Sequence, residues 1–267
     1  MAIVKATGVA PGSGRGPGKR QPPAVRVPEK VNEMRTDRRT LLVPVTALML
    51  AVAGCGVAPA VSETVRETIA LPEPAGTGDV SLEETLRDRR SVRTYSAEPL
   101  TLAQVGQLLW AGQGITSPEG WRTAPSAGGL YPLSLHVVAG NVRDLPAGVY
   151  TYRPDGHAFE LLREGDRRAD LARASLDQSW VGEGAISIVV AADYAITEAK
   201  YGDRAARYVQ MEAGHVGQNL CLQAVALGLG LVTVGAFDDN GIRDTLGLPD
   251  NLYPLYVIPV GNPVMEE

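Results

Sequence analysis

Three guanidiniums and a hydroxyl fall within five residues at Arg89-Arg90-Ser91-Val92-Arg93. Arginine offers planar, forked donors that match an oxyanion, and serine adds a neutral donor, so this string is suited to gripping a phosphate. It suits a solvated helix C-terminus equally well, because cations complement the macrodipole there. A second string, Ala124-Pro-Ser-Ala-Gly-Gly-Leu-Tyr-Pro132, allows close backbone approach through Gly128 and Gly129. Its main-chain groups can meet the polar edge of a flat heterocycle, although its glycines match neither phosphate-loop spacing. Val234-Gly235-Ala236-Phe237 and Pro259-Val260-Gly261-Asn262-Pro263 are further glycine-bearing strings, and turn chemistry alone accounts for both. Lys200, Tyr201 and Arg204 read as the solvated start of a helix. A lysine there acts as a base only if desolvation or cations such as Arg204 and Arg207 lower its pKa.

The elements that must position these strings follow from caps and periodicity. Ser81 and Glu84 form a capping box for a helix over Leu82–Arg89, which delivers the arginine string at its end. Thr101 caps a helix over Leu102–Ala111 with Leu102, Val105, Leu108 and Leu109 on one face. Strands are expected at 133–139, 149–152 and 158–162, the last two as a hairpin around Pro154-Asp155-Gly156. A helix is expected at 167–176. Residues 185–192 (AISIVVAA) are too continuously apolar for an edge strand. The longest helical pattern runs roughly from Asp203 to Leu227, with Tyr208, Met211, His215, Leu222 and Val225 on an apolar stripe, and Gly228 stops it. On that stripe His215 reads as a core histidine; Cys221, on the same helix, reads as a small buried hydrophobe. Strands at 231–234 and 255–260, around a short helix near 242–246, complete an α+β pattern with a mostly antiparallel sheet flanked by helices.

The full chain has 267 residues, and its formal net charge of −5 averages two unlike pieces. Residues 1–54 carry nine Lys/Arg and three Asp/Glu, whereas the remainder carries 16 against 27. An acidic body of this kind excludes a nucleic-acid binder. Two cysteines exclude a disulfide framework or thiolate cluster, and three unpaired histidines leave no metal site in view. Residues 1–33 are rich in Pro, Gly and basic residues, and are expected to be disordered or untranslated upstream of Met34. Residues 34–54 have a basic start, an apolar run and small residues before Cys55, which is the layout of a signal peptide. Val52-Ala53-Gly54-Cys55 resembles a lipobox, with Cys55 the lipidated residue and the sole membrane attachment. An ordinary signal peptide with an incidental Cys, or a membrane helix, is the alternative. Asp37-Arg38-Arg39 resembles a twin-arginine signal, with two ordinary n-region arginines as the alternative. The expected location is outside the cytoplasmic membrane or in the periplasm. Residues 55–80 read as a flexible tether, and 81–267 as the functional domain.

Taken in this order and spacing, the strings from Leu82 to Pro263 resemble the FMN-dependent nitroreductase family. The resemblance implies a nitroreductase-like fold with one long core helix, and a homodimer that builds the flavin site at its interface. It implies that Arg89, Arg90, Ser91 and Arg93 hold the FMN phosphate and ribityl chain, and that Pro125, Ser126, Ala127 and Gly128 lie along the isoalloxazine. Gly235 or Ala236 would supply an N–H near flavin N5. Gly261 and Asn262 stand in a closing string that often carries a cation in the family, and Asn262 can offer only a neutral hydrogen bond. Within the family, Ser126–Pro132, Gly148-Val-Tyr-Thr-Tyr152, and Lys200-Tyr-Gly-Asp-Arg204 running into Glu212-Ala-Gly-His215 and Gln218-Asn-Leu220 are most similar to the SagB/ThcOx-type dehydrogenases. That branch implies proton removal by Lys200 and Tyr201 from a small-molecule or peptide substrate. An NAD(P)H-dependent nitro or quinone reductase, and a non-catalytic anchored flavin- or ligand-binding protein, are the alternatives.

Overall fold

The computed structural model describes residues 68–264. The basic extension, the signal segment, Cys55 and the first part of the tether lie outside the described residues. In chain order the elements are β1 (Thr68–Ala70), α1 (Leu82–Asp88), α2 (Leu102–Gln113), β2 (Leu133–Ala139), β3 (Gly148–Arg153), β4 (Ala158–Glu164), α3 (Arg168–Ala174) and α4 (Ser179–Glu183). They continue with β5 (Ile186–Ala192), α5 (Tyr194–Tyr201), α6 (Ala205–Ala226), β6 (Gly230–Leu231), α7 (Asp239–Leu246) and β7 (Tyr253–Gly261). The strands form one antiparallel sheet in the order β1-β4-β3-β2-β5-β7-β6.

β5 is buried at every residue because helices cover both faces of the sheet at its centre. Its one hydroxyl, on Ser187, donates to Val181 O at 3.0 Å. On one face, Val105, Leu108 and Leu109 of α2 and Val209, Val216 and Leu220 of α6 pack on Leu135, Val137, Ile188 and Ile258. On the other, Leu171, Val181, Ile242 and Leu246 from α3, α4 and α7 pack on Val138, Val149, Val189 and Val257. Both expected capping boxes are present, at Ser81/Glu84 and Thr101/Gln104, and each contributes about 1 kcal/mol to its helix.

Two expectations need correction. The tether does not run to residue 80, since Thr68–Ala70 pairs with Ala158–Glu160 and adds an edge strand. The strap that follows is fastened: Leu71 N–H donates to His157 O at 3.0 Å, and Gln107 pairs with both backbone groups of Ala75. His157 Nε2 lies 2.9 Å from Pro72 O. A carbonyl can only accept, so Nε2 carries the proton and Nδ1 accepts from Tyr152 O–H at 2.9 Å. A three-residue strand is too short to carry a readable alternation.

The second correction concerns α6. Its buried face is Val209, Ala213, Val216, Leu220 and Ala224, roughly half a turn away from the expected stripe at about 100° per residue. Met211 is 48% exposed and His215 is exposed, so His215 is not a core residue. The apolar stripe exists but faces away from the sheet. The buried histidine is His136 on β2, held between Ser134 Oγ (2.9 Å) and Thr151 Oγ1 (3.0 Å). Burial pushes its pKa down to about 4. Cys221 is buried as expected, and its burial raises the thiol pKa while Arg89 opposes the rise.

Candidate functional site

The arginine string begins at the C-cap of α1, which is Arg89 itself. Val92 pins it: its N–H donates to Leu231 O at 2.9 Å, and its side chain fills the space that a Cβ on Gly230 would need. With Val92 turned inward, its neighbours Ser91 and Arg93 are exposed. Tyr95 packs on buried Gly261, whose missing Cβ leaves it room, and its hydroxyl donates to Val92 O at 2.8 Å. Asn262 donates through Nδ2 to Glu98 O at 3.1 Å, and its carbonyl accepts from Ser96 N–H. Gly261 and Asn262 therefore fasten the strand end to the arginine string. Arg90 spends Nη1 on the carbonyls of Arg87 and Arg89, while Arg93 lies 5.7 Å from the Trp180 ring centroid. Among the described residues, no carboxylate forms an ion pair with Arg89, Arg90 or Arg93.

The second string is held by α6. Buried Glu212 accepts from Ala127 N–H at 2.8 Å, and Asn219 donates to Thr123 O at 3.3 Å. Ser126 Oγ accepts from Tyr131 N–H, closing the loop on itself. Gly128 and Gly129 both sit at φ +66, where a side chain is strained. The space beside Gly128 is taken up by the candidate acid–base pair: a Cβ there would lie 2.7 Å from both Lys200 Nζ and Tyr201 Oη. Sequence separation gives no hint of this meeting.

Lys200 and Tyr201 lie at the end of α5, not at a helix start. Gly202, at φ +52, turns the chain through a single 3₁₀ turn into α6. Lys200 is exposed and sits 5.5 Å from the Tyr201 ring centroid, and Tyr201 meets Tyr208 edge-on at 5.1 Å. Arg204 and Arg207 are exposed on the turns that follow.

Gly235 and Ala236 leave the sheet where Val234 and Val257 exchange two backbone hydrogen bonds. Val234 O is drawn toward Val257, so peptide planarity aims Gly235 N–H the opposite way. Gly235 is exposed, nothing lies within 4 Å of a Cβ built on it, and among the described residues its N–H donates no backbone hydrogen bond. Ala236 O is held by Gln178 Nε2 at 2.9 Å. Guanidiniums without a carboxylate partner suit a phosphate, and the exposed Gly235 backbone and the Gly128 loop suit the edge and face of a flat heterocycle, as FMN combines them. Within one chain the arginine string is pinned at β6 and the Gly128 loop is held at α6.

Glu212, Asn219 and Gln178 have no role legible in the sequence. They act on partners 85, 96 and 58 residues away, and a polar residue on a helix carries no local mark of such a bond.

Comparison with known proteins agrees with this arrangement. The model of the nitroreductase family matches residues 86–262. The chain is 43% identical over 186 residues to MJ1384 of Methanocaldococcus jannaschii, a protein assigned as a nitroreductase, covering 70% of this chain and 93% of that one. It superposes on the crystal structure of a protein assigned as a nitroreductase from Ralstonia eutropha with a TM-score of 0.66 at 28% identity, covering 84% and 99% of the two chains. It is 24% identical over 192 residues to the trifolitoxin operon protein TfxC of Rhizobium leguminosarum bv. trifolii, covering 66% of this chain and only 54%, about half, of TfxC. The chain belongs to the nitroreductase family, whose members are generally flavin oxidoreductases.

Proposed function

We propose that the protein is an FMN-dependent oxidoreductase of the SagB type, removing a hydride and a proton from an organic substrate. The observation that carries this reading is that Lys200 Nζ and Tyr201 Oη fill the space beside Gly128, where an added Cβ would lie 2.7 Å from each. It places a base and a phenol against the loop assigned to the flavin ring, an arrangement that simple ligand capture does not require. The likeness to TfxC and the Lys200–Asp203 string support the same branch. Bound FMN supplies a hydride acceptor at N5. Arg89, Arg90, Ser91 and Arg93 bind the phosphate, and Gly235 N–H orients the ring edge. Lys200 and Tyr201 would take a proton from the atom next to the carbon that gives up hydride, so a double bond forms between the two and the substrate leaves oxidised by two electrons.

The site is completed by a second copy of the chain. Ala127 is clamped at Glu212, while the charge of Arg89 acts on the thiol of Cys221, nine residues further along α6. At 100° and 1.5 Å per residue the two points are about half a turn apart and roughly 13.5 Å along the helix. One chain thus presents its loop and its arginines on opposite sides of α6. The outward stripe of Tyr208, Met211, Leu222 and Val225, with exposed Leu82 and Leu86 on α1, offers the apolar surface for that copy. The reading includes export and lipidation at Cys55.

The test is anaerobic reduction of FMN-loaded protein by candidate donors, NADPH among them. Reduction by an organic substrate, with loss of that reduction in Lys200→Ala at unchanged FMN content, supports the dehydrogenase. Reduction by NADPH alone, indifferent to Lys200→Ala, favours the reductase, and flavin that no donor reduces removes the enzyme reading.

A further inference from the structure

Residues Ser175–Trp180 concentrate features that core packing does not explain. Leu176 and Asp177 are consecutive non-glycine residues at φ +58 and +57, a left-handed pair costing on the order of 1–2 kcal/mol per residue. Ser175 Oγ and Trp180 Nε1 are buried with no hydrogen-bond partner. Backbone strain and orphaned polar atoms of this kind persist where the surroundings over-determine them, and they gather at functional sites.

The strained turn delivers Gln178. Its one amide nitrogen donates to Ser175 O at 2.7 Å and to Ala236 O at 2.9 Å, using both hydrogens. Two residues on, the Trp180 ring receives the Arg93 guanidinium at 5.7 Å, a cation–π contact. The short helix α4 and its N-cap residue Gln178 therefore touch two strings that are far apart in sequence, the Gly235–Ala236 segment and the arginine string.

We infer that Gln178 and Trp180 are positioning residues that fix the separation between the Gly235–Ala236 backbone and Arg93, so that both ends of one flavin nucleotide are gripped at once. The inference rests on the FMN reading above. Gln178 holds the Ala236 carbonyl, which fixes the Ala236–Phe237 peptide plane and so anchors the chain immediately after Gly235, the residue with the widest conformational range. Trp180 gives the long Arg93 side chain a platform, reducing the rotamer freedom lost when it meets a phosphate.

The two residues act on different ends of the nucleotide, so their variants separate by readout. The experiment uses the full chain loaded with FMN, measuring FMN dissociation constant, visible spectrum and flavin midpoint potential. Gln178→Leu removes both donors. Gln178→Glu keeps the shape but turns oxygen lone pairs toward both carbonyls, and it stands in if Gln178→Leu fails to fold. Both are expected to hold FMN within about threefold of wild type while shifting the potential and the shape of the visible band. Trp180→Ala is expected to weaken FMN about three- to tenfold with the potential unchanged, and Trp180→Phe to restore affinity. Gln178 variants with wild-type potential and spectrum overturn the inference, even if their melting temperatures fall, because Gln178 is then structural only. Wild-type protein that takes up no FMN overturns the underlying reading instead.

Discussion

At the residue scale, the arginine string is distinguished by what its members lack. Arg89, Arg90 and Arg93 have no carboxylate partner among the described residues, in a body with an excess of acidic groups. Arg89→Ala or Arg93→Ala should weaken FMN by about 1.5–3 kcal/mol, the range for charge-assisted hydrogen bonds, as read by flavin fluorescence titration. Unchanged affinity in both variants would remove the phosphate role. Gly128 makes a sharper probe of the acid–base pair. A methyl group there meets Lys200 Nζ and Tyr201 Oη at 2.7 Å and is strained at φ +66. Gly128→Ala should therefore displace the pair and lower turnover at least tenfold, with FMN still bound through the arginines. Full turnover in that variant contradicts the contact.

At the element scale, periodicity located most of the fold and failed where burial depends on distant partners. β2 is found at its expected residues, and β5 lies one residue inside the expected range, because a buried strand advertises itself by a continuous apolar run. α4 and α5 went unseen: α4 is five residues long, and Lys200–Tyr201 looks like a start when only the following helix is visible. The stripe on α6 was legible as apolar, but nothing local says which of two apolar faces meets the sheet. The loop and arginine strings were readable as binding strings, whereas Glu212, Asn219 and Gln178 were not, since each bonds to backbone brought close only by the sheet. His136 supplies a test at this scale. Its folded pKa is held at about 4 against 6.5 for the free group, so the unfolded chain takes up the proton first. Its contribution is present above pH 6.5 and is lost as pH falls toward 4. Between pH values of about 7.5 and 5 the loss should reach about 2 kcal/mol. Urea melts of wild type and His136→Gln at both pH values should show this extra loss in wild type alone, and equal slopes with pH would refute it.

At the scale of the whole molecule, the apolar stripe of α6 and the opposed placement of loop and arginines point to the same assembly. A charge in the middle of the stripe, Met211→Glu or Leu222→Glu, should shift the protein from dimer to monomer in sedimentation and reduce FMN uptake with it. A monomer that binds FMN as tightly as the dimer contradicts a shared site. The division of charge between the two parts of the chain makes its own prediction. On the proposed export and lipidation, Cys55→Ala should move the protein from the detergent phase to the aqueous phase, and an unchanged partition removes Cys55 as the anchor. The flavin assignment underlies the expectations for the arginines, Gly128 and the dimer, and it is tested most directly by the visible absorption of the Cys55→Ala protein after incubation with FMN and removal of unbound ligand. A yellow protein with the absorption of oxidised flavin at one FMN per chain is expected, a ratio that falls in Arg89→Ala. A folded, colourless protein that takes up no FMN contradicts the flavin assignment.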